Sequence, residues 1–408
     1  MDIFRLASLM TFSLTIINIL LFTLSLSAVL FYGDAIYAGV AYFHRPYCSD
    51  RNFQPAVSIL KPICGLDRNA YENLASFCQQ DYPNYQIIFA ALESEDPAIE
   101  VVRKIIHHFP DLDIQLVVGD TCCGLSQYPM GTNRKALNLA NAALVAKYDI
   151  LLIADSDIRV GRDYLQRVVQ PLQEENVGVV TCPYRSSAEG WVTILEAIGT
   201  ATEFHAGVLV SQQLEGIKFA FGSTIVIRKE VLEAIGGFAA IADYLADDYQ
   251  LGYLPAQAGY KVVLSDYVVE HVLATTTLAD SIKRQIRWAR GKRVSRPWGY
   301  LGLIFTYGIV TSLLFLIATG GSIVGWAVLG ITWMMRLAMA YAIGVKILKD
   351  SSAKYYLWLV PLHDFISFAI WCYSFVGNTI EWRGRQLKLT KGGKLVPIHN
   401  DSAKVLPS

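Results

Sequence analysis

The sequence predicts an α/β domain with a mostly parallel sheet, held between hydrophobic segments that cross or enter a membrane. Short runs rich in β-branched residues alternate with stretches of helical spacing through the middle of the chain. That alternation is typical of parallel strands joined by right-handed helical crossovers. Long charge-free segments stand at both ends, and 53% of the 408 residues are hydrophobic, which is more than an ordinary soluble protein contains.

The first hydrophobic segment predicts an N-terminal membrane anchor. Residues 6–32 carry no charged side chain, whereas a spanning helix needs roughly 20 apolar residues. The core of a cleaved signal peptide is shorter than this. We therefore interpret residues 1–44 as an uncleaved transmembrane signal anchor. The basic residues that follow it, His44, Arg45 and Arg51, favour a cytoplasmic location for its C-terminal end.

Residues 55–276 have globular composition and predict a folded α/β domain between the hydrophobic segments. The predicted strands are 56–60, 85–92, 114–118, 150–154, 177–182, 219–227 and 261–265. The predicted helices are 69–79, 98–109, 133–147, 162–173, 189–210, 229–235 and 251–258. In an open α/β sheet, ligands bind outside the carboxyl ends of the strands. The polar residues that follow the strands are therefore the candidates for chemistry.

Two carboxylates directly follow the fourth predicted strand, at Asp155 and Asp157 with Ser156 between them. Paired acids at the end of a buried strand offer hard oxygen ligands, suited to Mg²⁺ or Mn²⁺ shared with a phosphate. Asp and Ser are also common turn formers. Taken alone, this short pattern fits a metal site and a solvated turn equally well.

Three further polar groups occur in the same domain or beside it. An acidic cluster, Glu93 to Asp96, follows the second predicted strand, and a pair of acids stands at Asp247 and Asp248. The segment 277–297 predicts a basic amphipathic helix that contains the text RQIRW. Arg side chains three residues apart on a helix share one face, and their guanidinium groups suit phosphate oxygens.

The segment 298–380 predicts further membrane elements. No charged residue stands between Arg296 and Arg336, and a Thr-Gly-Gly break divides this block into two spans at about 300–318 and 322–346. A third apolar block, 355–378, contains Pro, His and Asp residues. Such residues are tolerated at membrane depth where they are buried within protein.

The basic residues impose a conflict on three complete crossings. The helix 277–297, the lysines near 346–354 and the basic tail 381–408 all favour the cytoplasmic side. Two crossings satisfy the first two groups, but a third crossing would export the tail. Our hypothesis is that 355–378 is a broken or re-entrant segment, so that the tail is cytoplasmic.

Charge and cysteine content exclude some classes of protein. Lys plus Arg and Asp plus Glu number 35 each, so net charge gives no argument for a nucleic-acid partner. The seven cysteines show no CxxC pair and no metal-ligand spacing. Their scatter is typical of reduced thiols in a domain that faces the cytosol.

Taken together, these motifs resemble those of the ceramide glucosyltransferase family, which are inverting GT-A glycosyltransferases, and of its bacterial hopanoid-associated relatives. The resemblance covers roughly residues 55–300. The matching text is KPICGLD (61–67), QDYPNYQIIFA (80–90), EDPAIEVV (95–102), GTNRKALNL (131–139), ADSDIRV (154–160), LADDY (245–249) and RQIRW (284–288). Each piece alone is weak, but the order is specific. The resemblance implies a Rossmann-like GT-A catalytic domain.

The resemblance also implies a donor site for a UDP-sugar. Its donor-binding residues would be Glu93, Asn133, Lys135, Asp155, Arg284, Arg287 and Trp288. Asp155 and Asp157 would hold Mg²⁺ or Mn²⁺ against the diphosphate, and Asp155 is the preferred ligand because relatives often keep only the first acid.

Several donor contacts have plainer interpretations. Asn133 is equally suited to cap the helix that follows it. Glu93 stands where the family has an Asp, which puts that contact in doubt. The basic helix that contains Arg284, Arg287 and Trp288 would also suit anionic lipid headgroups.

The resemblance assigns the catalytic residues as Asp248, Asp247 and His205. Asp248 would be the base that takes the proton of the acceptor hydroxyl, and Asp247 would orient it. The alternative is that both acids only begin a helix. His205 lies on an apolar helical stretch, where a structural role is an equal alternative, and for His271 we favour the structural role.

These features predict a membrane-bound enzyme with its catalytic domain in the cytoplasm. It would transfer a hexose, glucose by preference, from a UDP-sugar to the hydroxyl of a membrane lipid such as ceramide. The alternatives are transfer of an N-acetylhexosamine to a hopanoid polyol, sugar transfer to diacylglycerol, and a processive polysaccharide synthase. A non-enzymatic transporter or receptor would carry its polar residues in the spans, whereas here the acids concentrate between them.

Overall fold

The computed structural model of the chain describes the backbone of residues 2–44, 50–119, 131–382 and 385–398, with side chains from residue 12 onward. Arg45 and three of the cysteines, Cys48, Cys122 and Cys123, lie outside the described residues. The four described cysteines, Cys64, Cys78, Cys182 and Cys372, are free thiols.

The helices and strands follow the predicted alternation through the middle of the chain. The helices are α1 (Asp2–Phe43), α2 (Ala70–Phe77), α3 (Ala98–His108), α4 (Arg134–Leu144), α5 (Tyr164–Val168), α6 (Trp191–Gly199), α7 (His205–Glu215), α8 (Lys229–Ala234), α9 (Asp247–Gln257), α10 (Leu278–Ser295), α11 (Pro297–Gly302), α12 (Gly308–Ala318), α13 (Ile323–Ala340), α14 (Ser351–Tyr356) and α15 (Val360–Ser374). The strands are β1 (Val57–Pro62), β2 (Tyr85–Ala91), β3 (Ile114–Val118), β4 (Ile150–Ile153), β5 (Ile158–Arg159), β6 (Val177–Thr181), β7 (Tyr184–Ser187), β8 (Ile225–Arg228), β9 (Lys261–Leu264), β10 (Val269–Val272), β11 (Thr379–Trp382), β12 (Arg385–Leu389) and β13 (Leu395–Pro397).

Seven strands form one sheet in the order β3-β2-β1-β4-β8-β6-β9. All neighbours are parallel except β8, which runs antiparallel to both β4 and β6. The predicted mostly parallel sheet is therefore confirmed. Its central strands read as continuous apolar runs because helices cover both faces, and every position of β1 and β4 is buried. The predicted strand at 219–227 is shorter than expected, since only Ile225–Arg228 pairs in the sheet.

A second, small sheet lies beyond the end of β4, in the order β5-β10-β7. Its strands are two to four residues long, too short to give a periodic hydrophobic signal. The sequence does not predict it. This sheet positions the site because β5 begins directly after Asp157 and pairs antiparallel with β10, which carries His271.

The seven-stranded sheet, here called the catalytic sheet, and the membrane helices share one hydrophobic core. Ala28 and Tyr32 of α1 and Met339 of α13 belong to the same buried cluster as Leu60 of β1 and Ile153 of β4. A second cluster fills the opposite face of the sheet. The soluble and hydrophobic parts are thus packed against each other rather than joined by a linker.

Two helical segments among the described residues are long and apolar enough to span a membrane, Phe12–Phe43 and Ile323–Ile347. The predicted span at 300–318 is broken. Pro297–Thr306 and Gly308–Ala318 form a pair bent by 53°, and they qualify as a span only when taken together. The last apolar block yields α15, which has 15 residues. That this block is re-entrant stays a prediction.

The chain end adds a third sheet, in the order β11-β12-β13. The sequence predicts only a basic tail there, because the strands alternate apolar and charged residues over very short runs. Ile380, Leu387 and Leu389 from this sheet pack with Leu245, which lies two residues before Asp247. The sheet therefore covers the approach to the paired acids.

Candidate active site

The turn at Asp155 is fixed by backbone contacts from two directions. Its amide N–H donates to the carbonyl of Gly222 at 3.0 Å, and its carbonyl oxygen accepts from Lys61 Nζ at 2.6 Å. Lys61 is fully buried in β1. Burial lowers the pKa of Lys61 to about 7, although the carboxylates of Asp155 and Asp157 act in the opposite direction. The Lys61 amino group thus lies against the backbone of the acidic turn.

Lys135 joins the two acidic groups of the site. Its Nζ lies 2.6 Å from Asp155 Oδ1 and 3.3 Å from Asp247 Oδ2. Burial alone would lower the pKa of Lys135, but the carboxylates of Asp155, Asp247 and Asp248 outweigh it and raise the pKa. Lys135 is therefore held as a cation at the centre of the site. That Lys135 binds the donor stays a prediction, and the structure places its amino group beside the Asp155 carboxylate.

Asp157 pairs with His271 across the small sheet, with 3.0 Å between Asp157 Oδ2 and His271 Nε2. Burial opposes ionisation of both groups, but their mutual attraction wins, so the pKa of Asp157 is lowered and that of His271 is raised. Two adjacent ligands of an octahedral ion with bonds of about 2.1 Å lie about 3 Å apart. Asp157 Oδ2 and His271 Nε2 are spaced in this way and are ligand types of a divalent cation, which would have to displace the proton that joins them. Asp155 does not complete a compact three-ligand group with them among the described residues, and its Oδ1 is paired with Lys135.

Asp248 lies on the other side of Gly222 from Asp155. Its Oδ2 accepts from the Gly222 amide at 3.1 Å, and its Oδ1 accepts from the Tyr249 amide at 2.8 Å. Burial and then the neighbouring charge of Asp247 raise the pKa of Asp248 to about 6, against the opposing effect of Lys135. A Cβ at position 222 would lie 2.4 Å from Asp155 Oδ2. Glycine is therefore needed for the two acids to approach.

Asn133 serves as a helix cap, which is the plainer of the two interpretations. Its Oδ1 accepts from the amides of Lys135 and Ala136, at the first turn of α4. Its Nδ2 donates to the Tyr244 carbonyl at 2.8 Å and to Asp247 Oδ1 at 3.2 Å. The side chain is fully buried, so the predicted direct contact with the donor is replaced by a contact that holds Asp247.

His205 is placed differently from the predicted catalytic role. It is buried, its Nδ1 lies 2.8 Å from the Thr200 carbonyl, and its Nε2 lies 3.2 Å from the amide nitrogen of Tyr184. These contacts fit the neutral ring with the proton on Nδ1. Burial lowers the pKa of His205 to about 4. With both nitrogens engaged, the ring supports the wall of the site and does not touch the acids.

The arginines of the basic helix α10 diverge instead of meeting one ligand. Arg284 forms a two-point ion pair with the buried carboxylate of Glu196, with distances of 3.0 and 2.6 Å. Arg287 lies over the ring of Trp382 at 5.6 Å, and Trp288 remains 40% exposed. The predicted shared phosphate-binding face of Arg284 and Arg287 is thus not formed in this structure.

Glu93 lies at the rim of the sheet edge, away from the acids. It is exposed and forms an ion pair with Arg134, the first residue of α4. Asp96 from the same acidic cluster is buried and accepts from the Gly65 and Ala98 amides. The cluster therefore fixes the loop after β1, and Glu93 itself keeps an exposed carboxylate.

Sequence reasoning from spacing missed Lys61 and Glu196. Lys61 lies within the matching text KPICGLD, but a lysine inside an apolar strand looks like a solvent-facing residue. Glu196 pairs with a residue 88 positions later in the chain, and no local pattern marks it. Asp67, also in KPICGLD, accepts from the hydroxyl of Ser156. The KPICGLD motif is the sequence signal from which both Lys61 and Asp67 could have been found.

Comparison with known proteins identifies relatives over most of the chain. The family model "Glycosyl transferase family 21" matches residues 20–395. Ceramide glucosyltransferase 3 of Caenorhabditis elegans is 27% identical over 354 residues, which are 84% of this chain and 74% of that protein. Ceramide glucosyltransferase 1 of the same organism is 26% identical over 379 residues, 87% of this chain and 77% of that protein.

A solved structure confirms the fold. The mannosyltransferase PcManGT from Pyrobaculum calidifontis, in complex with GDP-Man and Mn²⁺, superposes with a TM-score of 0.54 and 20% identity. The match covers 89% of this chain and 99% of that one. The predicted GT-A fold is therefore confirmed.

Proposed function

The chain belongs to glycosyl transferase family 21, and from this premise we propose that it transfers glucose from UDP-glucose to the primary hydroxyl of ceramide or a closely similar membrane lipid. One observation carries the proposal. The Gly222 N–H donates to the Asp248 carboxylate and the Gly222 carbonyl accepts from the Asp155 amide N–H, so the base and the residue that carries the diphosphate-side carboxylate are held at one glycine. The names of the relatives favour ceramide over a hopanoid, diacylglycerol or a polymer.

Asp248 acts as the general base in this proposal. Its raised pKa of about 6 leaves it ionised at neutral pH but more basic than an ordinary aspartate, which suits proton abstraction. It takes the proton of the acceptor hydroxyl while that oxygen attacks the anomeric carbon from the face opposite UDP. Asp247, held by Lys135 and Asn133, positions the first turn of α9 and thereby Asp248.

The leaving diphosphate is placed on the other side of Gly222. Lys135 supplies a positive charge there, beside Asp155. Asp155, Asp157 and His271 are the residues that would hold Mg²⁺ or Mn²⁺, which when bound supplies Lewis-acid stabilisation of the departing phosphate charge. We also propose Glu93 and Trp288, which are exposed, and Arg287 of α10 as donor-side contacts.

Packing of the catalytic domain against the membrane helices supports a lipid acceptor. The sheet shares its core with α1 and α13, so a lipid reaches the site from the bilayer while the donor arrives from water. The basic helix α10 and the positive residues after it favour a cytoplasmic catalytic domain. The segment 385–398 supports that topology. The Leu395 amide donates to the Asp243 carbonyl at 2.7 Å, which keeps this segment on the same side of the membrane as the catalytic domain.

Purified full-length chain in lipid nanodiscs tests the proposal. Nanodiscs with ceramide are given labelled UDP-glucose or labelled UDP-N-acetylglucosamine in parallel, with Mg²⁺ or Mn²⁺ present. We expect glucosylceramide of inverted anomeric configuration and an equal amount of UDP, and no product in nanodiscs without ceramide. Label transferred only from UDP-N-acetylglucosamine, or only to diacylglycerol in matched nanodiscs, would contradict the proposal.

A further inference from the structure

A polar cluster lies where the catalytic domain packs against the membrane helices. Between α6 and α7 the helix widens into a π-helical turn at Thr200–Phe204, a feature frequent at functional sites. Glu203 lies in this turn and faces α15. Its Oε1 accepts from Ser367 Oγ at 2.9 Å, and its Oε2 lies 3.5 Å from His363 Nδ1.

The neighbours of Glu203 are held in place by their own contacts. Arg336 of α13 pairs with Asp364 through two bonds of 2.9 and 2.7 Å, and its Nη1 donates to the Thr202 carbonyl at 3.2 Å. His363 packs so closely on Gly199 that a Cβ there would lie 2.1 Å from its Nε2. Arg336 is therefore bound to Asp364, and Glu203 faces the His363 imidazole and the Ser367 hydroxyl.

The cluster combines one partly exposed carboxylate with one buried nitrogen that has no hydrogen bond. Glu203 keeps 29% of its side chain exposed. His363 is 93% buried, yet its Nδ1 makes no hydrogen bond among the described residues. A buried polar atom without a partner is costly. Ionisable residues beside membrane spans commonly face a cavity and mark the path of a substrate.

This cluster adjoins the catalytic acids through an aromatic wall. Phe204, next to Glu203, contacts Phe221 with 5.4 Å between ring centroids. Phe221 immediately precedes Gly222, whose amide binds Asp248. The amino group of Lys292 lies 4.9 Å from the Phe204 ring centroid and is exposed. Two rings in contact, Phe204 and Phe221, therefore stand next in sequence to Glu203 and to the Gly222 amide that binds Asp248.

We propose that Glu203 binds the headgroup of the lipid acceptor by accepting a hydrogen bond from a hydroxyl or amide N–H next to the reacting hydroxyl. A carboxylate offers acceptors only. Ceramide carries both kinds of donor beside its primary hydroxyl, whereas diacylglycerol presents ester oxygens that would face the carboxylate unpaired. A site built to hydrogen-bond a substrate donor rejects an analogue that lacks it. The inference rests on the proposed function and specifies its acceptor class.

A divalent cation is a less suitable occupant of the same cluster. One ligand atom each from Glu203, His363 and Asp364 lie within 4.8 Å of one another. However, Arg336 already neutralises Asp364 by a two-point contact, and its guanidinium would repel a metal ion bound to that carboxylate. The geometry therefore favours a neutral ligand with hydrogen-bond donors.

Acceptor kinetics of Glu203→Gln and Glu203→Ala test the inference. Full-length protein in nanodiscs is assayed with ceramide at varied surface concentration, and UDP-glucose affinity is measured separately. A hydrogen bond to a charged group corresponds to about a ten- to hundredfold change in affinity, so we expect KM for ceramide to rise by about that factor. The UDP-glucose Kd should stay unchanged. Glu233→Gln, at an exposed position on α8, is the matched control.

Acceptor analogues with the wild-type protein provide an independent measurement if the variants do not fold. We expect KM to rise for ceramide that is N-methylated and O-methylated at its secondary hydroxyl, and diacylglycerol to be a poor acceptor. The inference is overturned if the analogue, diacylglycerol and ceramide are used equally, or if folded Glu203 variants keep the wild-type KM. Absence of any glucosylceramide from the wild-type protein would instead reject the proposed function.

Discussion

Gly222 is the residue on which the chemistry depends, because its two backbone polar groups bind two different acidic residues. Its N–H reaches Asp248 and its carbonyl reaches the amide of Asp155. Lys135 then links Asp155 to Asp247. Lys135 thus offsets part of the repulsion among three carboxylates, although burial still raises the pKa values of Asp155 and Asp248.

The low-pH side of the pH–rate profile should reflect the ionisation of the Asp248 carboxyl group. Burial raises its pKa to about 6, and the base must be ionised to take a proton. Activity is therefore expected to fall as the pH drops through about 6 and to level off above about 7. We would measure kcat/KM for ceramide from pH 4.5 to 8.5 at saturating UDP-glucose. A rate that stays constant down to pH 4.5 would reject this assignment.

Residue roles were predictable from sequence only where the partner is local. The cap role of Asn133 follows from its place before α4, and the acids after β4 follow from the strand pattern. The pairing of Arg284 with Glu196 depends on a helix packed far along the chain, and no spacing rule marks it. The role of Lys61 was not predictable because its burial and its contact with the Asp155 carbonyl arise only in the tertiary structure.

At the scale of elements, the C-terminal sheet acts as a support for the catalytic loop. Tyr244 bridges to Lys394, the Leu245 amide donates to the Gly393 carbonyl, and Arg290 of α10 donates to the Thr379 carbonyl. The loop before Asp247 is thus pinned by a segment that lies almost 150 residues later in the chain. Its short amphipathic strands explain why the sequence predicts only a basic tail.

Leu389→Ala should weaken this support. Leu389 is almost fully buried against Leu245, and removal of a buried leucine side chain costs about 2–5 kcal/mol of unfolding free energy. We expect a lower kcat with little change in UDP-glucose affinity, together with faster hydrogen exchange in the loop before Asp247. Val396→Ala, exposed in the same sheet, is the control. Wild-type kcat and exchange in the Leu389 variant would show that the sheet does not position the acids.

The elements of the catalytic sheet were predictable because they are long and strictly apolar. β1 to β4 each begin within about one residue of the expected position. The small sheet of β5, β7 and β10 was not, although it delivers His271 to Asp157. The π-helical turn at Thr200–Phe204 also escapes prediction, because its extra residue depends on the packing of α15.

At the scale of the whole molecule, the catalytic domain and the membrane helices act as one packed unit. The contact is polar as well as apolar, since Arg336 joins α13 to α15 through Asp364 and to the π-helical turn through Thr202. The composition predicted the hydrophobic flanks, but it does not indicate that they share a core with the sheet. The bend between the two halves of the 297–318 segment likewise depends on packing against α1.

Asp364→Asn should destabilise this junction. Removing one partner of a buried ion pair costs about 3–5 kcal/mol, because the other charge is left uncompensated. We expect a lower thermal midpoint in detergent and recovery in the double variant Arg336→Met/Asp364→Leu, which removes both charges. Asp163→Asn, at an exposed carboxylate, serves as the control. An unchanged midpoint in Asp364→Asn would show that the pair does not hold the two parts together.

The Asp248→Asn variant tests most directly whether Asp248 is the catalytic base, when transfer and donor binding are measured on the same preparation. We expect single-turnover formation of glucosylceramide to fall by about 10²–10⁴-fold, the usual contribution of a general base. UDP-glucose affinity with Mg²⁺ or Mn²⁺ should stay within about twofold of wild type, since Lys135, Asp155 and Asp157 are intact. Turnover close to the wild-type rate with unchanged donor affinity would contradict the central claim.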